Sequence, residues 1–356
     1  MSCDLNEVLS KFDISMSAAS YGNGHINDTY LVESNPKYIL QKINSNVFKN
    51  PPQVMDNIEK VTNHLRKKIA EQGGDPDRET MLVIKTKDGS NYYKTEDGEY
   101  FRMYRFVDNA TSYDNAENAK MFYEAARAFG RFQKLLSDFP MKELYETIPK
   151  FHDTRNRFLN LKKAIENDVC GRAAEIAEDI ELALSFEDEV GVIVDGIADG
   201  SLPLRVTHND TKLNNVLIDD ITGKGLCVID LDTVMPGSLL YDFGDALRIG
   251  ASNAAEDETD LSKVTFNLEY FESFARGFLE EVGSITDRER ELLAFSAMLI
   301  TYECGIRFLT DYLEGDTYFK IHREKHNIDR ARNQLKLACD IRSKFPQMNE
   351  IIGRIV

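Results

Sequence analysis

The stretch Val206–Asp232, VTHNDTKLNNVLIDDITGKGLCVIDLD, constrains this chain more than any other. A polar loop-like run, Asn209–Asn215, is followed by an apolar segment, Val216–Ile218. A turn with Gly223 and Gly225 leads to a second apolar segment, Leu226–Ile229, which delivers Asp230. Two such segments around a Gly-containing turn predict a hairpin, which brings Asn215 and Asp230 together at one end. A carboxylate, Asp210, a cation, Lys212, and two oxygen ligands for a hard metal ion are then expected around one small volume. Phosphoryl transfer needs those parts, because its catalysis is chiefly positioning and charge neutralisation. Asp232, two residues along the expected strand from Asp230, would point to the same face.

The chain before this stretch reads as a small sheet. Residues 1–12 suggest a short helix, and Ser20–Val32 holds two strand-like pieces around a turn with Gly22 and Gly24. Tyr38–Ile43 is the next strand. Pro51-Pro52 opens a helix whose apolar residues Ile58, Val61, Leu65 and Ile69 recur at helical spacing, and Gly73-Gly74 ends it. Three further strands, MLVIKT, NYYKT and EYFRMYRFV, are joined by Asp88-Gly89 and Asp97-Gly98, both hairpin signals. From Asp114 the pattern is helical apart from the central hairpin. Phe122–Phe139 (stopped by Pro140), Ile176–Leu184 and Phe266–Val282 read as helices, and Met298, Tyr302, Ile306, Leu309 and Leu313 form one buried stripe closed by Gly315.

A chain of 356 residues predicts two domains. A net charge of −17 argues against nucleic acid or an anionic membrane as the main partner, though not against nucleotides met by local cations. Cys3, Cys170, Cys227, Cys304 and Cys339 lack metal-binding spacing and read as reduced intracellular thiols. The acid-bearing N-terminus is not a signal peptide, and no run approaches the roughly 18 apolar residues of a membrane helix. A cytoplasmic protein is expected, with a monomer plausible.

A sheet lobe with one helix and a Gly-rich turn, followed by a helical lobe carrying HxDxKxxN and then IDxD, resembles the protein-kinase-like fold. The series HNDTKLNNVL, VIDLD and YDFGDALR is similar to the aminoglycoside phosphotransferase and choline kinase superfamily of small-molecule kinases. Within it, the longer segments YGNGHINDTYLV, YILQKIN, FHDTRNRF, LPLRVTHNDTKLNN, IDLDTVMPGSLLYDFGD and ECGIRFLTDYLEGDTYF resemble the N-acetylhexosamine 1-kinases. The resemblance implies an α+β, two-lobe fold: a nucleotide-binding lobe over residues 1–108 and a catalytic, sugar-binding lobe over 109–356. It implies ATP as co-substrate, Mg²⁺, and transfer to the anomeric hydroxyl of GlcNAc or GalNAc. Other acceptors of the superfamily (choline, homoserine, an aminoglycoside) and a non-catalytic nucleotide-binding regulator stand as alternatives.

In this frame Asp210 is the base, Lys212 neutralises the γ-phosphate, and Asn215 and Asp230 hold Mg²⁺, which prefers oxygen donors and shares its coordination with phosphates. His208 is expected to orient the loop through a backbone hydrogen bond, and Asp242 to brace it from a helix start. Gly22 and Gly24 would let backbone approach the triphosphate. Tyr104–Asp108, including Phe106, is the implied hinge against adenine. The implied strand cation is absent, because Gln41 stands in its place and Lys42 falls on the opposite face. The usual partner of that cation, Glu59, is therefore in doubt. For the sugar, the resemblance points to His25, Arg307 and Tyr318 beside Asp210. A surface pair of Arg307 with Glu303, four residues earlier, is the plainer reading of that arginine.

Overall fold

The computed structural model describes residues 4–22 and 26–355. The chain divides into two compact units. The first comprises Met1–Ser112, Leu135–Pro149 and Asn215–Pro236; the second comprises Tyr113–Lys134, Lys150–Asn214 and Gly237–Val356.

In the first unit an antiparallel sheet is built from β1 (Ala18–Ser20), β2 (Asp28–Val32), β3 (Tyr38–Ile43), β4 (Val83–Ile84), β5 (Tyr93–Lys94) and β6 (Tyr100–Arg105), in the order β1-β2-β3-β6-β4, with β5 also on β6. Alternation splits its residues between two faces. Leu40, Phe101 and Met103 join Val8 and Leu9 of helix α1 (Leu5–Lys11), Phe12 at its C-terminal cap and Val32 in one apolar core. Gln41 and Arg102, directly opposite each other, take the other face. Helix α2 (Pro51–Glu71) starts on its two prolines and buries Val54, Met55, Ile58, Val61, Leu65 and Ile69.

The two Asp-Gly turns behave differently. Asp97-Gly98 closes a true hairpin, Thr95 N–H donating to Glu99 O at 2.9 Å and β5 pairing with β6. Asp88-Gly89 makes an equally tight turn, Thr86 N–H to Ser90 O at 2.9 Å, yet β4 and β5 do not pair with each other. The six residues of β6 are long enough to take both on one edge, β4 at Met103–Tyr104 and β5 at Tyr100–Phe101, so the turn passes the chain along that edge. A second antiparallel sheet in this unit orders β7 (Ala110–Thr111), β8 (Val216–Asp219) and β9 (Gly225–Val228) with β8 in the centre. This is the expected hairpin, with Val216 opposite Val228 and Gly223 supplying a φ of +68° at the turn. The turn is locked by Asp219, which accepts hydrogen bonds from the Thr222 amide and hydroxyl and the Ile221 amide. These bonds, the Thr222 amide foremost, hold its carboxyl at about 2.

The second unit is mainly helical: α3 (Ala119–Leu135), α4 (Thr154–Asn167), α5 (Leu239–Gly250), α6 (Leu268–Glu281), α7 (Leu293–Leu313), α8 (His326–Ser343) and α9 (Phe345–Ile355). Helix α3 stops at Leu135, before the expected Phe139; Phe139 N–H turns back to Leu136 O at 3.0 Å. Helix α7 is apolar all round because it is covered by α4, α5 and α8. By length and composition it could cross a membrane, against the expectation that no segment would, but most of it is buried inside this unit. Gly244 lets α5 reach it: a Cβ there would stand 2.5 Å from Ser296 O. Cys170, Cys227, Cys304 and Cys339 are free thiols, and burial pushes Cys227 and Cys304 up to about 12.

Candidate active site

The sequence-predicted residues are shared between the units. His208, Asp210, Lys212, Arg307 and Tyr318 lie in the second; Gly22, Gln41, Tyr104, Phe106, Asn215 and Asp230 lie in the first. Gly24 and His25 lie outside the described residues.

In the second unit the strand Arg205–Thr207 runs into the polar loop, where Asn209 adopts φ +63°, a left-handed conformation that Asn tolerates better than most residues. Buried Asp242, in the first turn of α5, organises this loop. One of its carboxylate oxygens accepts from His208 N–H at 3.0 Å and Gln133 Nε2 at 2.5 Å, the other from Asn209 N–H at 2.7 Å. Thr211 Oγ1 donates to the Asp242 carbonyl at 2.5 Å. Burial pushes the Asp242 carboxyl up, against the hydrogen bonds that favour its charge. His208 is fully buried, edge-on to Phe129 and Phe132, and its Nδ1 accepts Asp210 N–H at 3.2 Å. The loop is thus tied from both sides, and Asp210 emerges with 25% of its side chain exposed. Lys212 Nζ stands 3.0 Å from Asp210 Oδ2. Burial works to raise the Asp210 carboxyl, but Lys212, His208 and Arg248 outweigh it and hold it below the usual carboxylate range.

A polar bridge that the sequence did not announce leads from this loop into α7. His152 Nε2 meets Asn209 O at 3.0 Å and its Nδ1 meets Glu303 Oε1 at 2.9 Å, while Thr154 Oγ1 donates to Glu303 Oε2 at 2.6 Å. Glu303 is therefore occupied, and the alternative reading of Arg307, a surface pair with Glu303, is not formed. Instead Arg307 lies over the rings of Phe151 and Phe319, 6.0 and 5.4 Å from their centroids. It faces a cavity of about 300 Å³ whose lining includes Arg157, Lys163, Asp311, Tyr318 and Phe319. Buried Asp311 fixes one wall by accepting the amides of Thr317, Tyr318 and Phe319 at 2.8–2.9 Å. Tyr318 itself is 69% exposed. The signal for both acids was a charge interrupting the apolar stripe of α7.

Both His152 nitrogens face acceptors, which suits the imidazolium. Burial disfavours the charge, but Glu303 raises the His152 pKa above the ordinary 6.5; His152 in turn lowers that of Glu303 below 4.5 despite burial. The raised histidine contributes stability that is complete below 6.5 and lost as pH rises through its folded value. The depressed glutamate contributes stability that is complete above 4.5 and lost as pH falls through its own. Maximal stabilisation from the pair is expected between these limits. Chemical denaturation of wild type and His152→Gln across pH 4–9 checks this: the variant's stability should vary less with pH at both ends, and parallel profiles would refute the charged pair.

In the first unit Ile229 N–H donates to Asn215 O at 2.9 Å, so Asn215 and Asp230 flank the end of the hairpin as expected. Asp230 does not continue the strand. It has φ +59° and is followed by a 3-10 turn, Leu231–Thr233, so the strand alternation expected for Asp232 does not apply. Asp232 is buried against the Arg102 guanidinium and accepts Asn27 Nδ2 at 2.7 Å. On β3, Gln41 accepts Arg102 Nε at 3.0 Å; Lys42, on the other face, meets Glu99 at 3.2 Å. Glu59 pairs with Lys85 and accepts Asn91 Nδ2 at 2.7 Å. Tyr104 is buried with its hydroxyl lacking a hydrogen-bond partner among the described residues, and Phe106 N–H is engaged by Lys37 O at 3.0 Å. Phe106 thus has no free amide for adenine, because its N–H prolongs the β3–β6 ladder. Gly22 has φ +72° with open space where a side chain would project.

The phosphotransferase enzyme family, APH, matches residues 17–282, most of the chain and all of the loop and hairpin just described. The chain belongs to this family. Solved structures share the fold of this phosphotransferase along nearly its whole length. An aminoglycoside phosphotransferase from Alicyclobacillus acidocaldarius aligns with TM-score 0.61 and 13% identity, covering 99% of this chain and 98% of that one. A microcompartment-associated aminopropanol kinase gives 0.59 and 15%, covering 97% and 98%. A spectinomycin phosphotransferase in complex with ADP and spectinomycin gives 0.56 and 14%, covering 95% and 97%. At such identities the likeness is one of fold, and it matches the α+β, protein-kinase-like architecture read from the sequence.

Among the described residues of this phosphotransferase, no three His, Cys, Asp or Glu side chains cluster as a metal site. Mg²⁺ is commonly held by one or two protein oxygens and completed by phosphates and water, and Asn215 and Asp230 are such a pair of oxygen donors.

Proposed function

We propose that this phosphotransferase transfers the γ-phosphoryl group of ATP, with Mg²⁺, to the anomeric hydroxyl of an N-acetylhexosamine, GlcNAc or GalNAc, giving the sugar 1-phosphate and ADP. The acceptor oxygen attacks the γ-phosphorus, the bond from that phosphorus to the β,γ-bridging oxygen breaks, and the hydroxyl proton passes to Asp210. With a depressed pKa, Asp210 aligns the hydroxyl first and takes its proton late. Lys212, now against Asp210, balances charge on the transferred group. Asn215 and Asp230 hold Mg²⁺, which when bound neutralises phosphate charge and orients the leaving group. Gln41, Tyr104, the ring of Phe106 rather than its engaged amide, and the Gly22–Gly24 backbone serve the nucleotide, and His25, Arg307 and Tyr318 the sugar.

The observation that favours a neutral sugar over the choline or aminoglycoside alternatives is the charge of the cavity that Arg307 and Tyr318, the proposed sugar residues, help to line. Three cations, Arg157, Lys163 and Arg307, line it against two acids, Asp311 and Glu314. Arg157 is only partly exposed, its pKa lowered by burial and then by the like charge of Arg307. The buried acid on that wall, Asp311, is consumed by three backbone amides and Asn327 Nδ2. A cationic acceptor would meet repulsion there, whereas sugar hydroxyls and an amide carbonyl can accept from guanidinium groups beside aromatic rings. The deciding measurement is ATP and Mg²⁺ turnover with GlcNAc, GalNAc, choline, homoserine and an aminoglycoside, with the product identified by phosphorus-coupled NMR. Phosphorus coupling at the anomeric proton is expected. Turnover with only a cationic acceptor overturns the sugar assignment, and ATP binding without turnover on any acceptor favours the non-catalytic reading.

A further inference from the structure

Gln41 leaves β3 without the cation that the family resemblance implies, yet a cation lies beside it. Arg102, directly opposite Gln41 across the β3–β6 ladder and on the same face, is 1% exposed. Its Nε donates to Gln41 Oε1 at 3.0 Å and its Nη1 contacts Asp232, itself 4% exposed. Asn27 completes the cluster, donating from Nδ2 to Asp232 at 2.7 Å and accepting Asn44 N–H at 3.0 Å. A buried ion pair is a poor way to gain stability, since apolar residues of similar volume commonly do as well. Its geometry points elsewhere. Asp232 lies two residues beyond Asp230, and the segment between is the tight 3-10 turn. Asp230 is thereby bracketed, by Ile229 N–H on Asn215 O before it and by the Arg102 contact after it. Farther along, Asn57 of α2 donates to Val234 O at 3.0 Å. A non-glycine residue at φ +59° persists when its surroundings over-determine it, and these contacts do so.

We infer that Arg102 is a positioning residue for Mg-nucleotide binding: the strand cation has moved from β3 to β6, where it grips Asp232 and through it sets the metal-facing geometry of Asp230. Gln41 then orients the guanidinium. The inference rests on the proposed role of Asp230 and extends it.

The test is calorimetric titration of ADP into the full-length protein without acceptor, once with Mg²⁺ and once with EDTA. Loss of a partner that orients a metal ligand commonly weakens metal-dependent binding by about 10–100-fold. Arg102→Gln is expected to weaken Mg-ADP binding by that much and to leave metal-free ADP binding close to wild type. Arg102→Lys should fall between. Adding Gln41→Lys to Arg102→Gln returns a cation to the same face and should recover much of the loss, which a merely structural arginine would not allow. Should Arg102→Gln fail to fold around an unpaired Asp232, Arg102→Gln with Asp232→Asn leaves no uncompensated charge and carries the same expectation. Unchanged Mg-ADP binding in either folded variant, or equal losses with and without Mg²⁺, overturns the inference alone. A wild-type protein that binds no Mg-ADP overturns the proposed function along with it.

Discussion

Asp210→Asn is expected to lower turnover by about 10²–10⁴-fold, the usual range for loss of a general base, while leaving folding and Mg-nucleotide binding close to wild type. The substitution keeps shape and polarity but removes the carboxylate proposed to take a proton late in transfer. An amide can orient the acceptor hydroxyl weakly and cannot accept its proton. The backbone that presents residue 210 is held by Asp242 and His208, so the loop should survive the change. The measurement is steady-state ATP consumption with saturating acceptor, alongside nucleotide titration of the same preparation. Wild-type turnover in a folded Asp210→Asn protein would remove Asp210 from the mechanism.

Asp242→Asn is expected to have the largest effect on stability. Asp242 accepts three hydrogen bonds from donors that have little alternative, the amides of His208 and Asn209 and the side-chain amide of Gln133. An asparagine turns one acceptor oxygen into an NH₂ group, which must face donors whichever way it is flipped. Leaving one or two buried donors unsatisfied costs about 1–3 kcal/mol each, so a loss of roughly 1–6 kcal/mol is expected in chemical denaturation. Turnover should fall as well, since the loop bearing Asp210 loses its tether. The raised Asp242 pKa sets the sign of the pH dependence: the folded carboxyl holds its proton more readily than the unfolded one, so its titration favours folding at low pH and opposes it once both states ionise. A variant as stable as wild type would show that Asp242 does not brace the loop.

Local chemistry was enough to read much of this protein. Turn residues and period-2 alternation placed β2, β3, β6 and the β8–β9 hairpin; paired prolines and apolar spacing placed α2. The polar loop and the hairpin end with Asn215 and Asp230 were legible because every part sits within a few residues of chain, where spacing dictates proximity. The Asp88-Gly89 turn was legible as a turn, but not its outcome, because which edge a two-residue strand joins depends on a partner many residues away.

What sequence could not give was pairing between distant charges. Glu303 stands four residues before Arg307, and helix geometry alone favours their pairing; the choice of His152 and Thr154 follows from burial, which requires that a carboxylate have hydrogen-bond donors on every side. Gln41 looked like a missing cation until the β3–β6 register set Arg102 beside it. Asp230 looked like the end of a strand until the 3-10 turn after it carried Asp232 to that arginine. The sequence by itself determined the elements and the short-range constellation, since those depend on backbone propensities and neighbouring residues. The tertiary structure alone decided which buried charges meet, because desolvation makes each of them find a partner wherever in the chain one can be brought within reach.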